Sequence, residues 1–333
     1  MADTAFLPQS KLAYLIEAER PSSDFKTDVI KGLSERPFEL HPKYFYDARG
    51  AELFEAICTT PEYYVTSAEK ALLEGKADLI ADVIGPDANF IEPGSGAAEK
   101  IRILLDACET PAEYTLFDIS REQLEAVAAD LAEDFPDLRV GAVAGDFTRS
   151  FPLEEGMFCG SGKRVCFFPG GTLGNFSPEA QISLLNGFKR WLRPGDGILL
   201  GVDRIKDTAR LDAAYNDTAG YTAAFNLNIL HHMQHAIDAR LDIDAWEHLS
   251  FFNVGRGCIE MHLLATEDTE IAVQGHTFRF DRGDSIKTEE SWKFDVPRLK
   301  RLASALSLEL DAVWSGPNDM FSLVWLKVPE VSS

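Results

Sequence analysis

The sequence predicts an α/β protein: a mostly parallel sheet flanked by helices, closed by a C-terminal antiparallel hairpin, with a smaller inserted α+β unit. Three observations carry this. Between about residues 88 and 205, short apolar runs alternate with helical patterns, as βαβ units with right-handed crossovers do. Four of these runs end in Gly or Asp: Glu92-Pro93-Gly94-Ser95-Gly96, Asp118, Gly145-Asp146-Phe147 and Phe168-Pro169-Gly170-Gly171-Thr172. Such tips line the carboxyl edge of a parallel sheet, where open α/β folds bind ligands. Beyond residue 206 the alternation gives way to a long helical stretch and several short β-like runs, the pattern of an insertion.

In chain order, residues 1–40 are mixed and polar, loosely ordered at the start, with a turn over Glu17–Ser23. Residues 43–67 are aromatic and turn-rich. Residues 66–83 predict a helix with Thr66 or Ser67 as its N-cap. Strands are predicted over 89–92, 114–118, 138–144, 165–168 and 197–202. Helices over 99–108, 120–135 and 178–192 lie between them, and Ser120 with Gln123 three residues on forms a capping box. The turn Pro194-Gly195-Asp196-Gly197 leads into the last of these strands. A helix over 207–235 and strands over 249–253, 258–265, 270–273 and 276–280 follow. A helix over 296–306 and two strands, 307–314 and 320–328, joined by Ser315-Gly316-Pro317-Asn318-Asp319, close the chain.

Composition narrows the function. With 45% hydrophobic residues the 333-residue chain can bury a full core, as one large or two interlocked domains. A formal charge of −22 repels nucleic acid and anionic membranes, so a small-molecule substrate is expected. Five scattered cysteines with no CxxC pair fit a reducing cytosol. No secretory leader or membrane-length apolar run is visible. His231 and His235 share a helix face, but without an HExxH glutamate or a cysteine cluster they read as a plain helical face.

The tips carry chemistry. Glycines at Gly94 and Gly96 let backbone approach a ligand at a helix N-terminus. A pyrophosphate site would normally have a third glycine where this chain has Glu99. That negative charge suits a cationic sulfonium, so S-adenosylmethionine is expected rather than a dinucleotide. Asp118 can accept both ribose hydroxyls. Asp146 can accept from an adenine amine while Phe147 packs the ring. The glycine-rich loop 170–175 implies close approach to a ligand, and Asn175 offers an amide that both donates and accepts.

With these motifs assembled, the chain resembles the histidine N-alpha-methyltransferases of ergothioneine biosynthesis, class I S-adenosylmethionine-dependent enzymes. The resemblance runs from about residue 36 to 328. It rests on stretches such as Lys43-Tyr44-Phe45-Tyr46-Asp47, Pro61-Glu62-Tyr63-Tyr64, Gly94-Ser95-Gly96-Ala97-Ala98-Glu99-Lys100, Gly170-Gly171-Thr172-Leu173-Gly174-Asn175, Ile259-Glu260-Met261 and Thr288-Glu289-Glu290-Ser291-Trp292-Lys293. It implies a Rossmann-like methyltransferase domain over 66–205 plus 291–333, a substrate-binding domain over 20–65 plus 206–290, and an N-terminal extension over 1–19.

The resemblance also implies roles. Gly94, Ser95, Gly96, Lys100, Asp118, Asp146, Phe147, Gly170 and Thr172 would hold the cofactor. Tyr63 and Tyr215 would hold a substrate carboxylate, and Asn175, with Gly170 beside it, the α-amine. Glu289 and Ser291, with Met261 near, would read the imidazole, and Tyr46 and Phe54 would complete the pocket. Asn175 and Tyr63 are the residues expected closest to catalysis. Family members often have Ser in place of Gly171 and a residue other than Glu at 290; the second difference puts an extra charge near the imidazole.

The implied enzyme is a cytoplasmic monomer, free of metal, that trimethylates the α-amine of L-histidine to hercynine. Its rivals are a same-fold enzyme acting on another aromatic amino acid, a nicotinamide-dependent oxidoreductase and a binding protein that has kept the fold. Glu289 argues against the first, and the missing third glycine against the second.

Overall fold

A computed structural model describes residues 4–5, 12–18, 24–149, 151–153 and 157–330. The chain opens with strands β1 (Thr4–Ala5) and β2 (Tyr14–Glu17), helix α1 (Phe25–Ser34), strand β3 (Phe38–Glu39) and helices α2 (Ala48–Cys58) and α3 (Val65–Ile84). The alternating part is β4 (Asn89–Pro93), α4 (Glu99–Ala107), β5 (Glu113–Asp118), α5 (Arg121–Asp134), β6 (Arg139–Ala144), β7 (Arg164–Phe168), α6 (Pro178–Lys189) and β8 (Gly197–Asp203). There follow α7 (Thr208–Ala214), α8 (Tyr221–Ile237), β9 (Trp246–Asn253), β10 (Cys258–Ala265), β11 (Thr269–Val273), β12 (His276–Phe280) and β13 (Ser285–Trp292). Helix α9 (Val296–Ala305) and strands β14 (Glu309–Ser315) and β15 (Phe321–Lys327) end the fold.

The main sheet has the order β1-β2-β6-β5-β4-β7-β8-β15-β14. From β2 to β8 its pairs are parallel, and β15 and β14 join antiparallel. The expected sheet with its closing hairpin is therefore present. Every residue of β4, β7 and β8 is buried, which is why these strands read as unbroken apolar runs rather than alternating ones. The small sheet has the order β3-β13-β10-β9, and β11 and β12 form a separate hairpin. Strand β13, crossing the 290/291 position, lies entirely in the small sheet.

Four features differ from the sequence reading. The helix expected over 207–235 is two helices, α7 and α8. Between them Asp217 accepts from the backbone N–H of Tyr221 (2.9 Å) and Thr222 (2.7 Å), which starts a new helix rather than continuing the old one. Neither Thr66 nor Ser67 caps α3, which begins at Val65; Ser67 donates instead to the Tyr64 carbonyl at 3.0 Å. Strand β13 was not expected as an element, because its polar alternation looks like a loop until both neighbours are known.

Finally, the N-terminal stretch supplies β2, which pairs parallel with β6. The Tyr14 ring lies over Gly141, where a Cβ would come within 2.0 Å of it, and its hydroxyl donates to Glu113 at 2.6 Å. The loosely ordered start and most of the 17–23 turn fall outside the described residues.

Candidate active site

Strands β6, β5, β4 and β7 are adjacent and parallel, so the four tips share one edge of the sheet. After β4 the backbone turns through Gly94 and Gly96 at positive φ (+72° and +50°). A Cβ on Gly94 would lie 3.2 Å from the Phe147 ring, so loop and ring close on each other. Phe147 in turn packs edge-on against Phe168, with centroids 5.8 Å apart. Asp118 accepts from the backbone N–H of Ile119 at 2.7 Å and of Gly96 at 3.2 Å. Asp146 accepts from the Thr148 N–H at 2.9 Å. Burial pushes the Glu92 carboxyl up to about 8, with a 2.6 Å hydrogen bond from Tyr114 and the charge of Lys100 opposing it.

Lys100, in the first turn of α4, pairs at 2.5 Å with Glu69, a residue the sequence reading missed. Glu69 is fully buried on α3 and also accepts from the Gly170 N–H at 2.8 and 3.0 Å. It ties the two glycine loops together. A signal for it existed: it stands four residues after Val65 and three before Leu72, on the apolar face of its helix. Thr172 folds back on its own loop, its hydroxyl donating to the Pro169 carbonyl at 3.0 Å.

Beside these loops runs an aromatic wall. Ring centroids are 5.7 Å apart for Tyr46–Phe54, 6.2 Å for Phe54–Tyr63, 6.2 Å for Tyr63–Tyr215 and 6.1 Å for Phe54–Phe225. Tyr46 is 50% exposed, yet its hydroxyl pKa is raised by its surroundings and by Glu289. A side chain both open to water and crowded by protein lines a cleft. Burial, then Tyr215, Cys58, Tyr46 and Glu289, raise the Tyr63 hydroxyl in the same way.

Strand β13 forms the far side. Its alternation puts Glu289 and Ser291 on one face. Met261, buried on β10, is paired opposite Glu289. Asn175 ends a 3-10 turn (Thr172–Asn175) whose Gly174 packs directly on β13. A Cβ on Gly174 would lie 2.9 Å from the Trp292 carbonyl and 3.6 Å from Ser291 Oγ. Thus the loop from the main sheet and the strand from the small sheet touch, and the two groups of expected residues meet at one cleft. Glu290 is on the other face, bound to Arg256 (2.8 Å), Lys287 (2.7 Å) and the Trp292 indole N–H (2.9 Å). The extra charge that Glu290 brings is therefore directed away from Glu289 and Ser291.

A buried polar network underlies this face. Tyr215 donates to Ser291 at 2.8 Å, and the Lys293 ammonium donates to Ser291 at 2.9 Å and Tyr215 at 3.0 Å. Lys293 also pairs with Asp203 at 2.9 Å, and Asp203 is bound by Lys206 and by the Tyr64 hydroxyl (2.9 Å). Lys206 sits down at about 8, because burial outweighs the attraction of Asp203.

Residues 25–328 match the family described as histidine-specific, S-adenosylmethionine-dependent methyltransferases. The chain belongs to that family. It is 35% identical over 317 residues to a histidine N-alpha-methyltransferase of Mycolicibacterium smegmatis, covering 94% of this chain and 97% of the relative. A protein of the same name from Mycobacterium tuberculosis is 34% identical over 304 residues, covering 90% and 93% of the two chains. Ergothioneine biosynthesis protein 1 of Neurospora crassa is 30% identical over 321 residues; the match covers 93% of this chain but 36% of that longer one.

The cleft of this methyltransferase fits the cofactor in its family's description. Among the described residues the buried Ser95 hydroxyl at the glycine turn has no hydrogen-bond partner, a state that is costly unless a ligand meets it. Nothing lies within 4 Å of where a Cβ on Gly96 would stand, so the turn leaves room beside it, and the carboxylates of Asp118 and Asp146 are suited to a ribose, an adenine amine and a cation. Among the described residues, no helix is long and apolar enough to cross a membrane.

Proposed function

We propose that this methyltransferase trimethylates the α-amine of L-histidine to hercynine, the opening step of ergothioneine biosynthesis, as a metal-free cytoplasmic monomer. The observation that carries the reading is the pairing of Glu289 and Ser291 on one face of β13, beside an aromatic wall and against the loop that ends in Asn175. A carboxylate and a hydroxyl at this spacing can engage both nitrogens of an imidazole. An indole or phenol leaves one of them unmatched. The family description and the relatives' names support the same substrate.

S-adenosylmethionine, when bound, supplies an electrophilic methyl group on a sulfonium sulfur. Gly94, Ser95, Gly96, Asp118, Asp146, Phe147, Gly170 and Thr172 would hold it, with Lys100 near its charged end. The protein's task is then largely positioning, since displacement needs the amine lone pair in line with the methyl group. Tyr63 and Tyr215 hold the substrate carboxylate, and the Asn175 amide accepts an amine N–H so that the lone pair faces the donor.

The amine must be neutral to attack; α-amines titrate at roughly 8, so a minor deprotonated fraction exists at neutral pH and a strong dedicated base is not required. As N–H groups are replaced by methyls the nitrogen becomes a quaternary cation. The faces of Tyr46, Phe54 and Phe225 can stabilise it by cation–π contact.

The test is mass spectrometry of the products from purified protein, S-adenosylmethionine and a panel of histidine, tryptophan and tyrosine. Mono-, di- and trimethylated histidine alone is the expected result. Methylation of another panel member instead would overturn the substrate while leaving the fold assignment intact.

A further inference from the structure

We propose that His248 is a positioning residue: its Nε2–H grips the backbone carbonyl of Tyr215 and so sets where the Tyr215 side chain stands to receive a substrate carboxylate. The inference rests on the histidine reading above, in which Tyr215 takes the carboxylate, and adds to it the group that holds Tyr215 in place.

His248 is half-buried on β9. Its Nε2 lies 2.9 Å from the Tyr215 carbonyl oxygen, and its Nδ1 lies 2.9 Å from the Asn226 amide nitrogen. A carbonyl only accepts, so Nε2 carries the proton. The Asn226 amide settles the other ring nitrogen. Its NH2 donates to the His262 carbonyl at 2.8 Å, and its oxygen accepts from the Thr288 hydroxyl at 2.6 Å. Turning the amide over would set oxygen against oxygen at His262. The second amide hydrogen therefore points at Nδ1, which must be bare. The ring is fixed as one neutral tautomer with its single donor aimed at Tyr215. Burial acts the same way: it lowers the His248 pKa, against the Tyr215 carbonyl and the charge of Asp217, which raise it.

Three elements of the cleft meet on this chain of hydrogen bonds. Thr288 precedes Glu289 on β13, Asn226 follows Phe225 on α8, and Tyr215 follows the last turn of α7. Asn226 and Thr288 are fully buried, where polar groups are costly unless they are met. Helix α7 is also held to the edge of β9, since Asp212 accepts from the Phe252 N–H at 2.6 Å and Asn216 donates to the Ser250 carbonyl at 3.3 Å. Those contacts fix the helix. The contact from His248 falls on Tyr215 itself and ties it, through Asn226, to α8 and β13. The Tyr215 hydroxyl has one proton, given to Ser291 in the structure and free to turn to a carboxylate that binds. Whichever acceptor takes that proton, the reach of the side chain is set by its backbone. Loss of the His248 donor therefore weakens the hold on the carboxylate and spares the ring, the amine and the cofactor.

The experiment measures KM for L-histidine and the competitive inhibition constant of histamine, the same ring and amine without a carboxylate, in wild type, His248→Gln and His248→Asn. Gln places an amide N–H where Nε2 stood. Asn places its amide where Nδ1 stood and falls short of Tyr215. Wild type should hold histidine more tightly than histamine by about tenfold or more, the worth of hydrogen bonds to a charged group. His248→Gln should keep most of that gap. His248→Asn should raise the histidine KM by about tenfold, the cost of a buried carbonyl left unmet, with the histamine constant and the cofactor Kd unchanged. In wild type at neutral pH, nitrogen NMR of the His248 ring should show Nε2 protonated and Nδ1 bare.

A bare Nε2, or a charged ring at neutral pH, would overturn the proposal, and that arm needs no variant to fold. So would His248→Asn leaving the histidine KM untouched, or weakening histidine and histamine by one factor, the mark of a merely structural role. His248→Gln failing as His248→Asn does would overturn it too. Failure of the functional reading looks different: wild type would then leave histidine unmethylated, or hold histamine as tightly as histidine, and this inference would fall with it.

Discussion

Burial pushes the Glu289 carboxyl from 4.5 up to about 7, against the pull of the Lys293 ammonium. Below that pH it is protonated and no longer a pure acceptor. In the proposed reading the affinity for histidine therefore falls as the pH drops through 7, on top of the substrate's own protonation. Glu289→Gln cannot titrate, so its log kcat/KM should fall less steeply on the acid side than that of wild type; parallel acid limbs would remove Glu289 from the ring. Glu289→Ala should raise the histidine KM by about tenfold to a hundredfold, the cost of a lost charged partner, with cofactor affinity unchanged. Asp118 belongs to the other half of the cleft. Asp118→Ala should weaken cofactor binding by about tenfold or more, as calorimetry would read it, and leave the histidine KM at saturating cofactor alone. An unaltered cofactor Kd would show that the ribose is held elsewhere.

At the break between α7 and α8 the N-cap position is Gly220, at a φ of +77°, and Asp217 three residues earlier satisfies the first N–H groups of α8. Asp217 lies below its ordinary value because backbone N–H groups of Tyr221 and Thr222 bind its charged form, overcoming the opposing effect of burial. Its contribution is thus present above the ordinary aspartate range and lost as pH falls through the lowered value. Asp217→Ala should cost about 1–2 kcal/mol and lower Tm by roughly 2–4 °C at neutral pH, with the difference from wild type closing in strong acid. Since α8 carries Phe225 of the aromatic wall, the histidine KM should rise while cofactor Kd does not. The same aspartate shows where the sequence was hard to read. A signal was there, Asn216-Asp217-Thr218 with Gly220 three residues after Asp217, but helical spacing on both sides hides it, because an Asp inside a helix and an Asp starting one look alike until the backbone donors are located. Strand β13 was hidden for a related reason: Glu289 and Ser291 are polar on one face and Lys287 and Glu290 pair on the other, so the apolar alternation that marks a strand is missing. By contrast β4, β5, β7 and β8 were legible to within a residue or two, being buried apolar runs with sharp glycine or aspartate ends.

At the scale of the whole molecule the cleft exists only because two sheets are held in register with each other. Most of its parts could be read from the chain: the tips from their position after apolar runs, and Glu289 and Ser291 from the family resemblance. The contacts that lock the parts together were not, since Glu69–Gly170, Lys293–Asp203 and Gly174 against β13 join residues that no local pattern connects. Gly174 is the tightest of these joints. A Cβ there would meet the Trp292 carbonyl at 2.9 Å, backbone against backbone, with no flexible side chain to give way. Gly174→Ala should therefore push the Asn175 loop and β13 apart by a fraction of an ångström. Each half-site keeps its own residues, so cofactor Kd should change little and histidine KM modestly. What suffers is the alignment between them, and displacement chemistry can lose on the order of a hundredfold for a misplacement of about 1 Å. A fall in kcat of tenfold or more with nearly intact affinities is the expected signature, read from single-turnover methyl transfer alongside equilibrium binding. If instead kcat holds and one affinity collapses, the glycine serves only its own loop, and the alignment of donor and amine is set by some other contact between the sheets.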